Sequence, residues 1–217
     1  MNNIEISDRF QKCYSSVVHD VMRDMGIKNF TLPSSINPTK VNQKIGGQLF
    51  TIEGKINNKL THHESLLAWT GFLSKAPKDK IIICQPNNQE IALMGELSAE
   101  TLQNKGIRGC IIDGGCRDLE FILKINFPVW CNFYTPRDVV AYWSPTKMQE
   151  TITIGNTNIN NDDFVLADID GIVIIPKDRA EDILLKSEKL IETESEIRKA
   201  IKEGMDPQEA YLKYSVF

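Results

Sequence analysis

Two short clusters in the middle of the chain carry the side chains best suited to chemistry on a small anion. Arg117 and Asp118 follow a glycine-rich turn, and Glu96 supplies another acid earlier in the chain. A guanidinium donates hydrogen bonds to a carboxylate or carbonyl oxygen from a rigid fork. A carboxylate can offer a hard oxygen ligand to Mg²⁺ or move a proton. The sequence therefore indicates a site that binds a small anion and acts on it.

The predicted secondary structure explains how these residues could meet. Apolar residues 91–94 predict a strand, residues 97–105 a helix, and residues 110–112 the next strand. A short helix over 119–124 and a third strand from residue 128 repeat the unit. Strands connected in this way run parallel with right-handed crossovers, and ligands collect at their carboxyl ends. We therefore expect both clusters to lie at the same edge of one sheet.

Simpler interpretations exist for both clusters. The first cluster consists of Gly95, Glu96, Leu97 and Ser98. Amides at the start of a helix can bind an anion, but Glu96 could also merely complement the helix dipole. An Arg-Asp pair is often a solvated surface pair. The glycines before Arg117 permit close backbone approach, which leaves both interpretations of that pair open.

Elsewhere, the apolar pattern predicts a mixture of helices and strands. Residues 6–25 predict one amphipathic helix, and residues 177–203 predict a long terminal helix. The other predicted elements are strands at 46–52 and 80–84, a helix at 63–73, and hairpins at 151–159 and 164–175. We expect one domain over residues 1–217, with a helical extension from about residue 177.

Composition argues against several functions. The chain has 217 residues, of which 41% are hydrophobic, so it can bury the core of one domain. Its net charge of −4 comes without a basic stripe, which argues against nucleic acid as a partner. The sequence shows neither a membrane span nor a leader, and we expect a cytoplasmic protein. It has no glycine-rich nucleotide loop, and its five cysteines suit buried free thiols.

Two further groups resemble metal sites, but each has a simpler explanation. His62, His63 and Glu64 are adjacent, and adjacent residues do not share a helix face, so we interpret them as the start of a surface helix. Asp168 and Asp170 resemble the first ligands of a calcium loop. Because a strand follows and no Glu closes the loop, we interpret them as turn residues.

The clusters and the residues after them resemble a known family. The matching residues are Gly95, Glu96, Leu97, Gly106, Gly109, Asp113, Gly114, Arg117 and Asp118, with segments 127–129, 135–138 and 162–176. Together they resemble the pyruvate aldolases that include 4-hydroxy-4-methyl-2-oxoglutarate aldolase. This group shares its fold with the regulator of ribonuclease activity A (RraA). The resemblance covers nearly the whole chain and is densest over residues 95–138.

The resemblance implies a fold, an assembly and an activity. The fold would be α/β with three layers, β/β/α, similar to swivelling domains, with a central parallel sheet and an antiparallel sheet. The assembly would be a homotrimer or a hexamer with active sites between subunits. The activity would be that of a metal-dependent class II pyruvate aldolase. Such a lyase cleaves 4-hydroxy-2-oxo acids to pyruvate and also decarboxylates oxaloacetate.

The resemblance also implies roles for individual residues. Arg117 would bind the keto oxygen of the substrate, and Asp118 would hold Mg²⁺ or Mn²⁺ directly or through water. The amides of Leu97 and Ser98 would take the substrate carboxylate, and Glu96 would organise water for proton transfer. A divalent ion and a guanidinium together stabilise the enolate left by carbon-carbon cleavage, so no catalytic lysine is needed.

Three residues mark what the resemblance leaves open. Glu194, from the terminal helix of a neighbouring subunit, is the candidate for an acid that approaches the metal. Phe121 stands where these aldolases often have an acid, and Ser98 stands where Leu is common. Both departures leave the exact substrate open.

The alternative function is a non-catalytic protein-binding regulator, like the ribonuclease regulator with the same fold. Regulators of that type generally lack an acid at the position of Asp118, so the intact Arg117-Asp118 pair favours an enzyme. A paralogue that acts on another 2-oxo acid is the third possibility.

Overall fold

The computed structural model describes residues 1–215. Its helices are α1 (Asn3–Phe10), α2 (Ser15–Asp24), α3 (His62–Lys75), α4 (Glu96–Asn104), α5 (Leu119–Ile125), α6 (Ala180–Lys202) and α7 (Pro207–Tyr214). Its strands are β1 (Asn37–Pro38), β2 (Ile45–Ile56), β3 (Ile81–Gln85), β4 (Ala92–Met94), β5 (Gly109–Ile112), β6 (Gly115–Cys116), β7 (Val129–Cys131), β8 (Phe133–Tyr134), β9 (Trp143–Met148), β10 (Ile152–Ile154), β11 (Thr157–Ile159), β12 (Phe164–Ala167) and β13 (Ile172–Ile175).

A mixed sheet of eight strands forms the centre of the fold. Its parallel pairs are β2–β3, β3–β5 and β5–β7, and β1, β9, β12 and β13 join by antiparallel pairing. Strand β2 is 12 residues long, so its first half can pair with β12 and its second half with β9. The predicted α/β fold class is confirmed, with parallel and antiparallel strands sharing this sheet.

The central strands are buried on both faces, as is usual for parallel strands. In β3, Ile82 and Cys84 pack among side chains of α3 and α4. Ile81 and Ile83 point the other way and pack with residues of the β10–β11 hairpin. This alternation gives helices, central sheet and hairpin as three successive layers, and it places α3 and α4 on one side of the sheet.

The strand before the first cluster lies outside the central sheet. Strand β4 belongs to a separate parallel sheet of three strands, with β6 and β8. The prediction that residues 91–94 and 110–112 share one sheet is therefore wrong. After β5 the chain turns within two residues into β6, which pairs with β4. The second cluster thus follows β6, a strand too short to show a sequence period.

The predicted helix over residues 6–25 is also two helices, because long-range contacts interrupt it. The side chain of Gln11 donates from Nε2 to the backbone carbonyl of Lys44 and accepts at Oε1 from the backbone amide of Gly46. A side chain at Gly46 would place its Cβ 2.5 Å from the backbone nitrogen of Gln11, so the close approach of these two backbone segments needs glycine. Helix α2 then begins at Ser15, whose amide and hydroxyl both donate to the Asp168 carboxylate.

All five cysteines are free and buried, which confirms the prediction of buried thiols. Burial raises the pKa of the Cys84 and Cys110 thiols above the usual value, because a thiolate loses its hydration there. A neutral thiol is a poor nucleophile and metal ligand.

Within residues 1–215, no helix combines the length and apolar character needed to cross a membrane.

Candidate active site

A cleft of about 410 Å³ opens beside the ends of β4 and β6 and the start of α4. The residues of both sequence clusters line it: Gly95, Glu96, Leu97, Ser98, Arg117 and Asp118. Asp138 also lines it, and the sequence reasoning gave that residue no role in the site. The structure therefore brings together the predicted residues of the two clusters, at the edge of the small sheet.

Pairing of β4 with β6 sets the relative position of the clusters. Met94 and Cys116 are partners in this parallel pair, and the amide of Arg117 donates to the Met94 carbonyl at 2.8 Å. The residues that follow each strand are consequently neighbours. On one side Gly95 leads into α4, and on the other Asp118 leads into α5.

Asp118 is fixed by its backbone conformation and by the helix start opposite. Its φ of 56° is in the left-handed region, which Asp adopts more readily than most residues. Its Oδ2 accepts from the Glu96 amide at 3.1 Å and lies 3.4 Å from Nε of Arg117. The dipole of α4 favours a negative charge here. Among the described residues, none donates to the other oxygen, Oδ1, which is thus free for a ligand.

Arg117 is held between two acids. Its Nη1 donates to Oδ2 of Asp138 at 3.0 Å, while Nε faces Asp118. Oδ1 of Asp138 accepts from the amide of Val140 at 3.1 Å, which fixes the acid in its loop. No hydrogen bond from Nη2 of Arg117 is present within residues 1–215. The guanidinium is therefore oriented and still has donors for an oxygen in the cleft.

The start of α4 offers unpaired amides. Gly95 is its N-cap and provides no side chain to accept from the first turn. The Glu96 amide donates to Asp118, whereas the amides of Leu97 and Ser98 have no acceptor in the described part of the chain. Such amides, together with the helix dipole, form an anion-binding site. The amides of Leu97 and Ser98 are therefore available to an anion in the cleft.

Trp69 of α3 is a further residue that the sequence reasoning missed. Its Nε1 donates to Oγ of Ser98 at 2.9 Å, and the indole lines the cleft. The hydroxyl of Ser98 accepts this bond and keeps its own proton for another acceptor. Only the apolar spacing of a helix marks Trp69 in the sequence. Ser98, which stands where the family often has Leu, thus has a hydrogen-bond partner on another helix.

Substitution of Gly95 by Ala is expected to lower the pyruvate-releasing activity that the family resemblance implies, without unfolding the protein. The added Cβ would lie 2.7 Å from Oδ2 of Asp118 and 3.1 Å from Nε of Arg117, so both side chains must shift. A shift of this kind should reduce kcat/KM by about tenfold. The control is Gly71→Ala in α3, where nothing lies within 4 Å of the new Cβ. Steady-state kinetics and thermal melting of both variants check this; equal activity would contradict it.

The carboxylate oxygens in the cleft suit, as metal ligands, a divalent ion that keeps much of its hydration. Residues 1–215 contain no group of three His, Cys, Asp or Glu side chains placed to hold a metal. Mg²⁺, however, commonly binds one or two carboxylates and retains several waters. Asp118, with its free Oδ1, fits such a site if water and substrate oxygens supply the other ligands.

Two other acid candidates, Glu64 and Asp168, have structural roles. Glu64 and Thr61 form a reciprocal capping box at the start of α3, and the same hydrogen bonds lower the pKa of the Glu64 carboxyl. The interpretation of residues 62–64 as a helix start is therefore confirmed. The interpretation of Asp168 as a turn residue is confirmed too, since it lies between β12 and β13.

Glu194 and Phe121 lie apart from this cleft within one chain. Glu194 is on α6, where its carboxylate accepts from the hydroxyl of Tyr14. Burial and this hydrogen bond raise the pKa of Tyr14 to about 12. Phe121 is 46% exposed on α5 and does not line the cleft. A role for Glu194 at the metal requires a neighbouring subunit, and it stays a prediction.

Comparisons with known proteins agree with the fold. Residues 15–174 match the family described as RraA-like, Aldolase/RraA. Protein DlpA of Legionella pneumophila is 28% identical over 206 residues, which is 93% of this chain but 32% of DlpA. A relative from Halalkalibacterium halodurans, named "Putative 4-hydroxy-4-methyl-2-oxoglutarate aldolase", is 24% identical over 213 residues, 97% of this chain and 95% of the relative.

A solved structure supports the fold independently. Streptomyces coelicolor RraAS2, described as an unusual member of the RNase ES inhibitor RraA family, is 20% identical with a TM-score of 0.80. The likeness covers 89% of this chain and 96% of that one. Since the family match spans residues 15–174 of 217, well over half of the chain, this protein belongs to the RraA-like family.

Proposed function

We propose that this protein is a divalent-metal-dependent lyase that cleaves 4-hydroxy-2-oxo acids to pyruvate. One observation carries the proposal: unpaired amides of α4, an oriented Arg117 and the Asp118 carboxylate line the same cleft. The printed name of the Halalkalibacterium relative supports the same reaction class at 24% identity. The amides of Leu97 and Ser98 suit the substrate carboxylate.

Arg117 and Asp118 have different roles at the carbonyl group of the substrate. Arg117 donates to the 2-oxo oxygen, where negative charge develops during cleavage, and Asp118 would hold a divalent ion. A divalent ion bound there supplies Lewis-acid stabilisation of the same charge. Interactions that strengthen as charge develops lower the barrier more than they strengthen ground-state binding. Asp138 keeps the guanidinium of Arg117 oriented for this purpose.

The reaction needs one proton removed and one added. A base takes the proton of the 4-hydroxyl, the C3–C4 bond breaks, and a carbonyl forms on the released half. The electron pair of the broken bond becomes the enolate of pyruvate, which takes a proton at C3. Glu96 lines the cleft, and its carboxylate accepts no hydrogen bond from the described residues, so it can orient the water that carries these protons.

The cleft does not suit cleavage through a Schiff base. No lysine is present among the described residues that line it. Stabilisation of the enolate would therefore depend on Arg117 and on a divalent ion held by Asp118. Decarboxylation of oxaloacetate leaves the same pyruvate enolate, so we propose it as a second activity of the same residues.

Release of pyruvate tests the proposed function. Lactate dehydrogenase and NADH report pyruvate from oxaloacetate and from 4-hydroxy-2-oxo acids, with Mg²⁺ or Mn²⁺ and with a chelator. We expect turnover that stops in chelator and returns when the ion is restored. Full turnover in chelator would contradict the metal dependence. No turnover of any substrate would instead favour a non-catalytic protein-binding regulator.

A further inference from the structure

Asp113 is among the residues that carry the family resemblance, yet it lies outside the lining of the cleft. Its carboxylate accepts two hydrogen bonds, at Oδ2 from Nε2 of Gln85 and at Oδ1 from Nδ2 of Asn132, both at 2.8 Å. Gln85 is the last residue of β3, and Asn132 directly follows β7. Because Asp113 directly follows β5, its carboxylate joins the ends of three neighbouring parallel strands.

The backbone beside this carboxylate is held as well. The amide of Asp113 donates to the carbonyl of Cys84 at 3.0 Å, and its carbonyl accepts from Nε2 of Gln89 at 2.9 Å. The carbonyl of Gly114 accepts from the amide of Asn132 at 2.8 Å. Asn132 therefore holds this turn twice, by its side chain at Asp113 and by its backbone at Gly114.

The turn leads the chain from the central sheet into the small sheet and on to the cleft. Strand β6 follows it and contains only Gly115 and Cys116. The amide of Gly115 donates to the carbonyl of Ile91 at 3.2 Å, and Arg117 comes directly after β6. Since two residues separate the turn from Arg117, a displacement of the turn is passed on to Arg117 and Asp118.

The two partners of Asp113 require a side chain with two acceptor oxygens. Nε2 of Gln85 and Nδ2 of Asn132 are both amide donors, and a carboxylate can accept from both of them. The Gln85 amide cannot reverse without loss of two further bonds. Its Oε1 accepts from the amide of Asn87 at 2.9 Å, and its Nε2 also donates to the carbonyl of Thr153 at 3.1 Å. An asparagine in place of Asp113 would therefore turn a donor towards another donor.

We infer that Asp113 is a positioning residue, whose carboxylate fixes the turn into β6 and with it the places of Arg117 and Asp118. The inference rests on the proposed lyase function where it concerns activity, whereas the placement of Arg117 can be measured without a substrate. Asp113 acts through these residues, unlike Asp138, which accepts from Arg117 directly. The hydrogen bonds that support the inference all lie within one chain.

Asp113→Asn tests this role. We expect kcat/KM for pyruvate release to fall about tenfold, because small displacements of catalytic groups are costly. Hydrogen exchange of the Arg117 amide, followed by NMR well below the melting temperature, should become about tenfold faster. The physical reason is that the bond from this amide to the Met94 carbonyl, 2.8 Å long, depends on the position of β6. Unchanged exchange and activity would overturn the inference.

Asp168→Asn is the matched control. Asp168 is another carboxylate in a turn, and it accepts from the amide and the hydroxyl of Ser15 and from the amide of Asp170. It also lies outside the lining of the cleft. Its substitution should lower the melting temperature at least as much as Asp113→Asn does, and leave kcat/KM and exchange at Arg117 nearly unchanged. Equal losses of activity in both variants would show a general stability effect and overturn the inference.

A second substitution at Asn132 provides the reverse test. In the double variant Asp113→Asn with Asn132→Asp, the new amide can donate to the new carboxylate while its oxygen still accepts from Gln85. We expect this variant to recover most of the kcat/KM and the slow exchange at Arg117. Asn132→Asp alone sets two carboxylates against each other and should lose as much activity as Asp113→Asn. No recovery in the double variant would overturn the inference, also where Asp113→Asn alone does not fold.

The exchange measurement separates this inference from the proposed function. A wild-type protein that releases no pyruvate would contradict the lyase function, and exchange at Arg117 would still decide whether Asp113 positions that residue. Release of pyruvate together with unchanged exchange in Asp113→Asn would have the opposite meaning. The lyase function would then stand, and the positioning role of Asp113 would be wrong.

Discussion

Substitution of Asp118 by Asn is expected to reduce kcat/KM for pyruvate release by about 10³-fold. Asn tolerates the left-handed backbone at this position, where φ is 56°. Its amide oxygen can still accept from the Glu96 amide, as Oδ2 of Asp118 does. The substitution therefore removes the negative charge and leaves the backbone in place. Loss of this charge should weaken binding of the ion and with it the stabilisation of the enolate.

Kinetics and metal titration check this expectation together. Mg²⁺ binding should weaken in Asp118→Asn, while the melting temperature should stay close to that of the parent. The matched control is Glu120→Gln, which removes an exposed carboxylate two residues away that does not line the cleft. Comparable losses in both variants would show a general charge effect and count against a metal role for Asp118.

The sequence predicted the residues of this site better than the way in which the fold assembles them. Residue type, glycine context and family resemblance indicate Glu96, Arg117 and Asp118, and the structure places them in one cleft. The predicted pairing behind their proximity, with residues 91–94 and 110–112 in one sheet, is wrong. They meet because β6, a strand of two residues, pairs with β4. A strand of that length has no hydrophobic period to detect.

Residues that act through long-range contacts were missed for a related reason. Asp138 lies in a loop after β8, and its role in the site follows from its bond to Arg117 and its position in the cleft lining. Trp69 has the spacing of an ordinary core residue, and its bond to Ser98 joins two helices. The break between α1 and α2 depends on contacts of Gln11 with Lys44 and with Gly46 of β2. Local sequence carries little information about such contacts.

The fold by itself does not decide between catalysis and regulation. RraAS2 has the same fold at 20% identity and is described as belonging to a family of ribonuclease inhibitors. Function depends on the site placed on a fold rather than on the fold. In this chain a lyase is favoured by Arg117, Asp118 and the amides of α4. Variants of these residues are therefore more informative than further comparison of structures.

Arg117→Lys is the second substitution with a large expected effect, a loss of about 10²-fold in kcat/KM. Lysine keeps the positive charge but replaces the planar fork by a single ammonium group. Arg117 uses Nη1 for Asp138 and points Nε towards Asp118, which leaves Nη2 for the substrate. One ammonium group cannot reproduce these directions. The loss should fall mainly on kcat, because the charge on the keto oxygen is largest in the transition state.

A matched substitution distinguishes this role from a general need for arginine in the segment. Arg137 pairs with Glu90 at 2.6 Å, lies over the ring of Tyr142 at 4.4 Å and does not line the cleft. Arg137→Lys should therefore leave kcat and KM nearly unchanged. If Arg117→Lys kept the parental kcat and raised only KM, the guanidinium would bind substrate without stabilising the enolate. The carbonyl would then depend on the ion at Asp118 alone, and the proposed division of work between Arg117 and Asp118 would be wrong.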